Sequence, residues 1–263
     1  MNERHQVTTL LKPLPLWQSG ILFGVPALLF VFATYVVQPY FVTRGNSEFV
    51  SYLWAYLGGH ITLFVAALIA YRLEGNPLTW SAFLNRFRLN TFGKRAWLWI
   101  IAVFILSYTL YVILITLTNL ALNNGLLVIL HWVPPVIDPR LPQTAETVHQ
   151  LFGDKARGDW TILGLYLTVH FFNIFGEEFW WRGYILPRQE LTHGKWTWVV
   201  HGILWAMFHI TQWWTIIALL PSILLLSFMA QRLRSTWPGI FVHSLMNLLV
   251  QLSLVIGVIV GAI

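Results

Sequence analysis

Apolar residues in this chain come in long unbroken runs, separated by short clusters of charge. That pattern differs from the three-to-four-residue periodicity of a soluble amphipathic helix. Seven runs stand out, at roughly 16–42, 51–72, 96–122, 160–187, 196–213, 214–232 and 238–260. Each is compatible with the ~20 residues a helix needs to cross a hydrocarbon core. The fifth and sixth are nearly continuous, and Pro221 inside the sixth predicts a kink. Between the second and third runs, residues 77–95 interleave Trp80, Phe83, Leu84, Phe87 and Leu89 with Arg86, Arg88, Lys94 and Arg95. This is the pattern of an amphipathic segment lying on a membrane surface. Residues 123–159 form the one long hydrophilic connection. Pro134, Pro135, Pro139 and Pro142 predict an irregular loop there, with a short helix around 144–152. The expected fold is all-α: a polytopic transmembrane bundle of about seven spans plus an amphipathic surface segment. Residues 1–263 are expected to form a single membrane domain, without internal repeats.

Composition agrees. Hydrophobic residues make up 57% of the chain and charged residues 10%, against about 25% charged in a soluble domain. The 15 tryptophans suit headgroup depth, with some left over for an apolar pocket. Cysteine is absent, which excludes disulfides, thiolate metal sites and a cysteine nucleophile. The net charge of +6 does not indicate nucleic acid, because the basic residues lie in short loops between apolar runs. Arg72, Arg86, Arg88, Lys94 and Arg95, then Arg188 and Lys195, then Arg232 and Arg234 fall on one side, joined by Arg4 and Lys12. The other side is balanced, with Arg44 against Glu48 and mixed signs from Asp138 to Arg157. This asymmetry predicts a multi-pass plasma-membrane protein with a cytoplasmic N-terminus and an external C-terminus. The first apolar run is too long for a signal-peptide core and has no small-residue cleavage site after it.

Ionisable groups inside an apolar run change the picture. One charged residue at the centre of a spanning helix costs from ~2.5 to more than 10 kcal/mol. The fourth run nevertheless carries Glu177, Glu178 and Arg182. Glu178 and Arg182 are one helical turn apart, acid first, the better order for an ion pair. Glu177 is rotated by ~100°, so two neighbouring carboxylates can divide the roles of base and stabiliser. His170, Asn173 and Glu177 share one helical face. The fifth run holds Trp205 one turn before His209, where the indole would shield the imidazole. The seventh holds His243 and Asn247 on one face, continued by Gln251. Such stripes are commonly interhelical glue, but a His and an Asn donating together make an oxyanion hole. Taken together, Glu177 would take a proton from water, His209 would orient that water and later protonate the leaving amine, and His243 and Asn247 would stabilise the oxyanion.

The order Glu-Glu-x-x-x-Arg, aromatic-x-x-x-His, His-x-x-x-Asn resembles the CAAX prenyl protease and bacteriocin-processing (CPBP, Abi) family of intramembrane endopeptidases, which includes the type II CAAX endopeptidases. The resemblance covers 176–247, within an expected catalytic core at 160–250. It implies catalytic Glu177, His209, His243 and Asn247, with Glu178, Arg182 and Trp205 in support. The family usually has Phe where this chain has Trp205, which bears on pocket shape more than on chemistry. Two Glu and two His could ligate zinc, so a set of Glu177, His209 and His243 stays open as the alternative. No H-E-x-x-H spacing exists, and the resemblance implies glutamate-driven hydrolysis without a metal or other cofactor.

The expected partners are an apolar peptide or lipopeptide substrate and membrane lipids, with no nucleic acid. Cleavage is expected near the cytoplasmic face. By residue count His209 lies deeper than Glu177 and His243, unless the fifth helix tilts or ends early. A non-catalytic immunity or binding protein for a hydrophobic peptide or bacteriocin is the alternative. A proton-relay transporter lacks the expected repeat, and Ser244 has no nucleophile elbow or Ser-Lys dyad. His60 reads as an ordinary core histidine, His201 as a residue that could line the same cavity, and His5, His131, His149 and His193 as loop or interface residues.

Overall fold

The computed structural model describes residues 11–142 and 144–263. Arg4 and His5 lie outside the described residues. Every regular element among them is helical, and the chain is a multi-pass membrane protein. The first rod is α1 (Leu16–Phe32), which continues through a π turn, Ala33–Val37, into α2 (Gln38–Thr43). α3 (Glu48–Leu73) follows, its first turn capped by Ser47, whose hydroxyl accepts from the Val50 N–H at 3.3 Å. A short α4 (Trp80–Arg86) leads to α5 (Lys94–Asn123). The long loop contains α6 (Ala145–Phe152), capped by Thr144, where a short helix was expected. Five helical stretches are long and apolar enough to cross a membrane. The fourth of them, Trp160–Leu233, is 74 residues long and folds as successive rods. These are α7 (Trp160–Glu178) with a π turn, Phe179–Ile185, and α8 (Leu186–His193), then α9 (Thr197–Phe208), then α10 (Ile216–Leu233). α11 (Trp237–Val260) closes the bundle. The seven apolar runs are therefore all helical.

The break between the fifth and sixth runs falls at Gln212, which leaves helical geometry (φ −125°, ψ 56°) inside the 3₁₀ segment His209–Thr215. The α-helical part of the fifth run ends at Phe208. Early termination therefore resolves the depth mismatch of His209.

The rods alternate in direction, which gives the bundle two ends. At one end Leu14 N–H donates to Arg188 O (3.1 Å) and Thr236 N–H to Arg88 O (2.9 Å). This is the basic end. At the other, Gly158 N–H donates to Ile259 O (2.8 Å) and Tyr35 OH to Thr211 O (3.2 Å). Segment 77–93 departs from a simple surface helix. Only Trp80–Arg86 is α-helical, and Phe87 and Leu89 plug the basic end of the core, with Phe87 fully buried. Arg86 was placed on a wet face but is buried. It pairs with Glu74 (2.6 Å) and donates to Gly183 O (2.7 Å). Folding Glu74 back onto Arg86 is a tertiary event that side-chain periodicity does not encode.

One close approach positions the site. A Cβ at Gly176 would stand 2.7 Å from the His60 carbonyl oxygen, so α3 and α7 cross almost backbone to backbone, the habit of small residues in membrane helices. That crossing sets His60 beside Glu177. Gly176→Ala is therefore expected to push the two helices apart and cost about 1–3 kcal/mol, the usual range for overpacking. Gly164→Ala on the same helix, where nothing lies within 4 Å, is the control and should be neutral. Thermal unfolding of the purified protein in detergent reads the difference.

Candidate active site

The site begins where α7 changes winding. Pro187 has no N–H to donate to Gly183 O, and its ring crowds that carbonyl. The preceding π turn, Phe179–Ile185, widens the helix at this point. Arg86 then satisfies the released carbonyls of Gly183 (2.7 Å) and Tyr184 (3.3 Å). The first rod does the same on a smaller scale, with its π turn two residues ahead of Pro39. The acidic pair stands just before the wide turn.

Glu178 and Arg182 are fully buried and paired, with Arg182 Nη1 3.0 Å from Glu178 Oε1. His243 Nδ1 lies 3.0 Å from the same oxygen. A carboxylate only accepts, so Nδ1 carries the proton and Nε2 is left for other partners. Gly239 permits this contact, since a Cβ there would meet Glu178 Oε2 at 2.5 Å. The Arg182 guanidinium lies over the Trp205 ring, its Cζ 3.4 Å from the centroid.

Glu177 is turned to a different set of partners, as expected from its rotation. Its Oε2 accepts from two indoles, Trp205 Nε1 at 3.0 Å and Trp181 Nε1 at 3.2 Å. Its Oε1 stands 3.5 Å from His60 Nε2. Trp205 also contacts Arg182, His209 and His243. Its carbonyl accepts from His209 Nδ1 at 2.9 Å, and its ring centroid lies 5.6 Å from that of His243 and 5.9 Å from that of His209. Phe in its place would keep the packing and lose the hydrogen bond to Glu177. Asn247 donates to Asn173 Oδ1 (3.1 Å), and the Asn173 carboxamide nitrogen lies 2.9 Å from His60 Nε2. A polar chain thus runs from Glu177 through His60 and Asn173 to Asn247.

Glu177, His209, His243 and Asn247 all line one cavity of about 250 Å³. Glu178 and Arg182 sit behind it. Phe87, Trp181 and Arg182, each at most 1% exposed, fill the side of the cavity toward the basic end. The cavity runs toward the opposite end, between Tyr52 and Tyr56 of α3 and the segment holding Thr211, Gln212 and Thr215.

One expectation for the other histidines needs revision. His60 is more than a core histidine, since it faces the carboxylate of Glu177. The Gly58-Gly59-His60 run was the available signal, because small residues beside a histidine in an apolar helix mark a close crossing. His201 does not line the cavity. It is buried against Phe23 with Nδ1 on Gln189 Oε1 at 2.7 Å. Ser244 is held by His170 at 2.9 Å.

Comparison with known proteins reaches the same stretch of chain. Residues 159–249 match the family model described as type II CAAX prenyl endopeptidase Rce1-like. The resemblance carried by the three motifs is thereby shown over this segment, about a third of the chain. The Rce1-like segment runs from the start of α7 into α11 and contains Glu177, Glu178, Arg182, Trp205, His209, His243 and Asn247, but not His60. No curated protein and no solved structure matches the chain.

Among the described residues no group of three His, Asp or Glu side chains gathers closely enough to hold an ion.

Arg182→Met is expected to destabilise the protein by about 3–5 kcal/mol, because it strands the Glu178 carboxylate in a dry interior. Adding Glu178→Leu should recover part of the loss. Equilibrium unfolding in mixed micelles gives the double-mutant cycle, and strictly additive losses would rule out the coupling.

Proposed function

We propose that this chain is an intramembrane endopeptidase that hydrolyses a peptide bond with water activated by Glu177. The observation that carries the reading is the convergence of Glu177, His209, His243 and Asn247, from three separate helical rods, on one cavity inside an apolar bundle. The likeness of residues 159–249 to type II CAAX prenyl endopeptidases supports the same reaction class.

The mechanism follows from which atoms are engaged. Two neutral indole N–H groups fix Glu177 Oε2 and leave Oε1 to take a proton from water. The water oxygen attacks the scissile carbonyl carbon and its π electrons move to oxygen. His209 donates Nδ1–H to a backbone carbonyl, so its Nε2 is a lone-pair acceptor that can orient the water. His243 leans on the Glu178 carboxylate through Nδ1, which fixes the ring so that an Nε2–H would donate to the oxyanion. Asn247 spends one N–H on Asn173 and has a second for the same purpose. When the C–N bond breaks, the proton taken by Glu177 passes to the leaving amine through His209. None of these steps is routed through a metal. The Glu178–Arg182 pair and Trp205 position these groups without touching substrate.

The alternative is a binding or immunity protein that holds a hydrophobic peptide in the same cavity. A binder has no use for a base fixed by two indoles beside paired oxyanion donors. Mass spectrometry of candidate lipopeptides and propeptides, incubated with purified protein with and without a chelator, tests the choice. Cleavage insensitive to chelator is expected. Glu177→Gln should lower it by about 10²–10⁴-fold. Trp205→Phe should lower it by roughly tenfold, the effect of one hydrogen bond of about 1.4 kcal/mol. Peptide capture unaltered by Glu177→Gln, with no cleavage by the wild type, would favour the binder.

A further inference from the structure

We propose that the substrate reaches this site from the face opposite the basic loops, the external face of the membrane, and that it is an extended peptide rather than a lipid tail. The proposal rests on the peptidase reading for its chemistry and on the cavity's direction for its geometry.

Direction comes first. On α3 the cavity wall runs from Tyr52 to His60, about 12 Å at 1.5 Å per residue. Tyr52 is four residues from the start of α3, so the wall begins about 6 Å from that end of the helix. Thr211, Gln212 and Thr215 line the cavity from the α9–α10 connection, which lies at the same end as the loops containing Arg44 and 124–159. The basic end offers no such route. Phe87 is packed into the core there, and Arg86 is fixed between Glu74 and Gly183.

Charge supplies the orientation. Arg72, Lys94, Arg95, Arg188, Lys195 and Arg232 sit at the closed end, where Glu74 and Glu190 are already taken by Arg86 and Arg88. The open end is balanced, as in the pair of Asp138 and Arg140 at 2.6 Å. Short-loop Lys and Arg are retained on the cytoplasmic side, so the cavity faces outward.

Lining chemistry identifies the occupant. The outer wall is lined by Tyr52, Tyr56, Thr211, Gln212, Thr215 and Gln251. The Thr215 hydroxyl is spent on Gln212 O and Tyr56 OH accepts from Thr34, while the Thr211 hydroxyl is buried without a hydrogen-bond partner among the described residues. Hydroxyls and amides buried against a hydrocarbon tail lose their hydrogen bonds to water at a cost. A peptide main chain offers both donors and acceptors in return. The fitting substrate is a secreted or membrane-tethered polypeptide with its scissile bond exposed at the outer leaflet.

The absence of native cysteine makes the route directly measurable. Asn247→Cys, on the inner part of the cavity, is expressed in cells and exposed to a small, charged, membrane-impermeant methanethiosulfonate. Labelling should be at least an order of magnitude faster in intact cells than in inverted vesicles. Lys195→Cys at the basic end should show the reverse. Gln212→Cys serves if Asn247→Cys does not accumulate. Faster labelling from inverted vesicles, or labelling from neither face, overturns the proposal. In parallel, one reporter peptide is tethered to the outer face and an identical one to the inner face. Cutting of the outer reporter alone is expected, and cutting of the inner one alone overturns the route. If neither is cut while Asn247→Cys labels from outside, the peptidase reading fails and the outward opening stands.

Discussion

A dry interior has no water to share the charge of Glu178, and much of the molecule is arranged around that constraint. Arg182 supplies the opposite charge from one turn away, His243 adds a donor from α11, and Gly239 removes the side chain that would keep them apart. The guanidinium in turn lies over the ring of Trp205. The same indole points its N–H at Glu177. Compensation of one buried charge therefore orders three rods and delivers a second carboxylate, held but unpaired by any guanidinium, to the cavity wall. A buried pair is weak evidence for net stability. Here its value lies in specifying geometry.

Much of this was legible in the sequence. The seven helical rods follow from apolar run length, because hydrocarbon thickness sets a minimum that composition meets or fails. The Glu178–Arg182 pair follows from helical spacing, and the diverging roles of Glu177 and Glu178 follow from a rotation of ~100° per residue. Trp205 was placed one turn before His209 and assigned to shielding. Its hydrogen bond to Glu177 spans two rods, so no local rule reveals it. His60 lay outside the recognisable motifs, and only the α3–α7 crossing at Gly176 brings it to the carboxylate. The direction of the cavity is not legible in the sequence for a related reason. Counting residues along each span gives depth, but which end is plugged depends on how the 77–93 segment folds back, and Arg86 reads from sequence as a wet surface residue.

Tryptophan divides in the same way. Trp17, Trp80 and Trp196 are exposed near the basic end, and Trp54, Trp132 and Trp160 near the other, in keeping with two interfacial belts. Trp181 and Trp205 are buried and use their N–H groups on one carboxylate oxygen. Number alone announced both populations but not which tryptophans belong to each.

The wide turn after Glu178 has a further consequence. A π turn amounts to one extra residue lodged in an otherwise regular helix. Deleting one residue from Phe179–Ile185 would remove that surplus and let the rod rewind as an ordinary helix, with the parts on either side keeping about the same relative phase. The widened turn that turns the Gly183 and Tyr184 carbonyls toward Arg86 would close, and the closed end would lose its latch while the acidic pair kept its place.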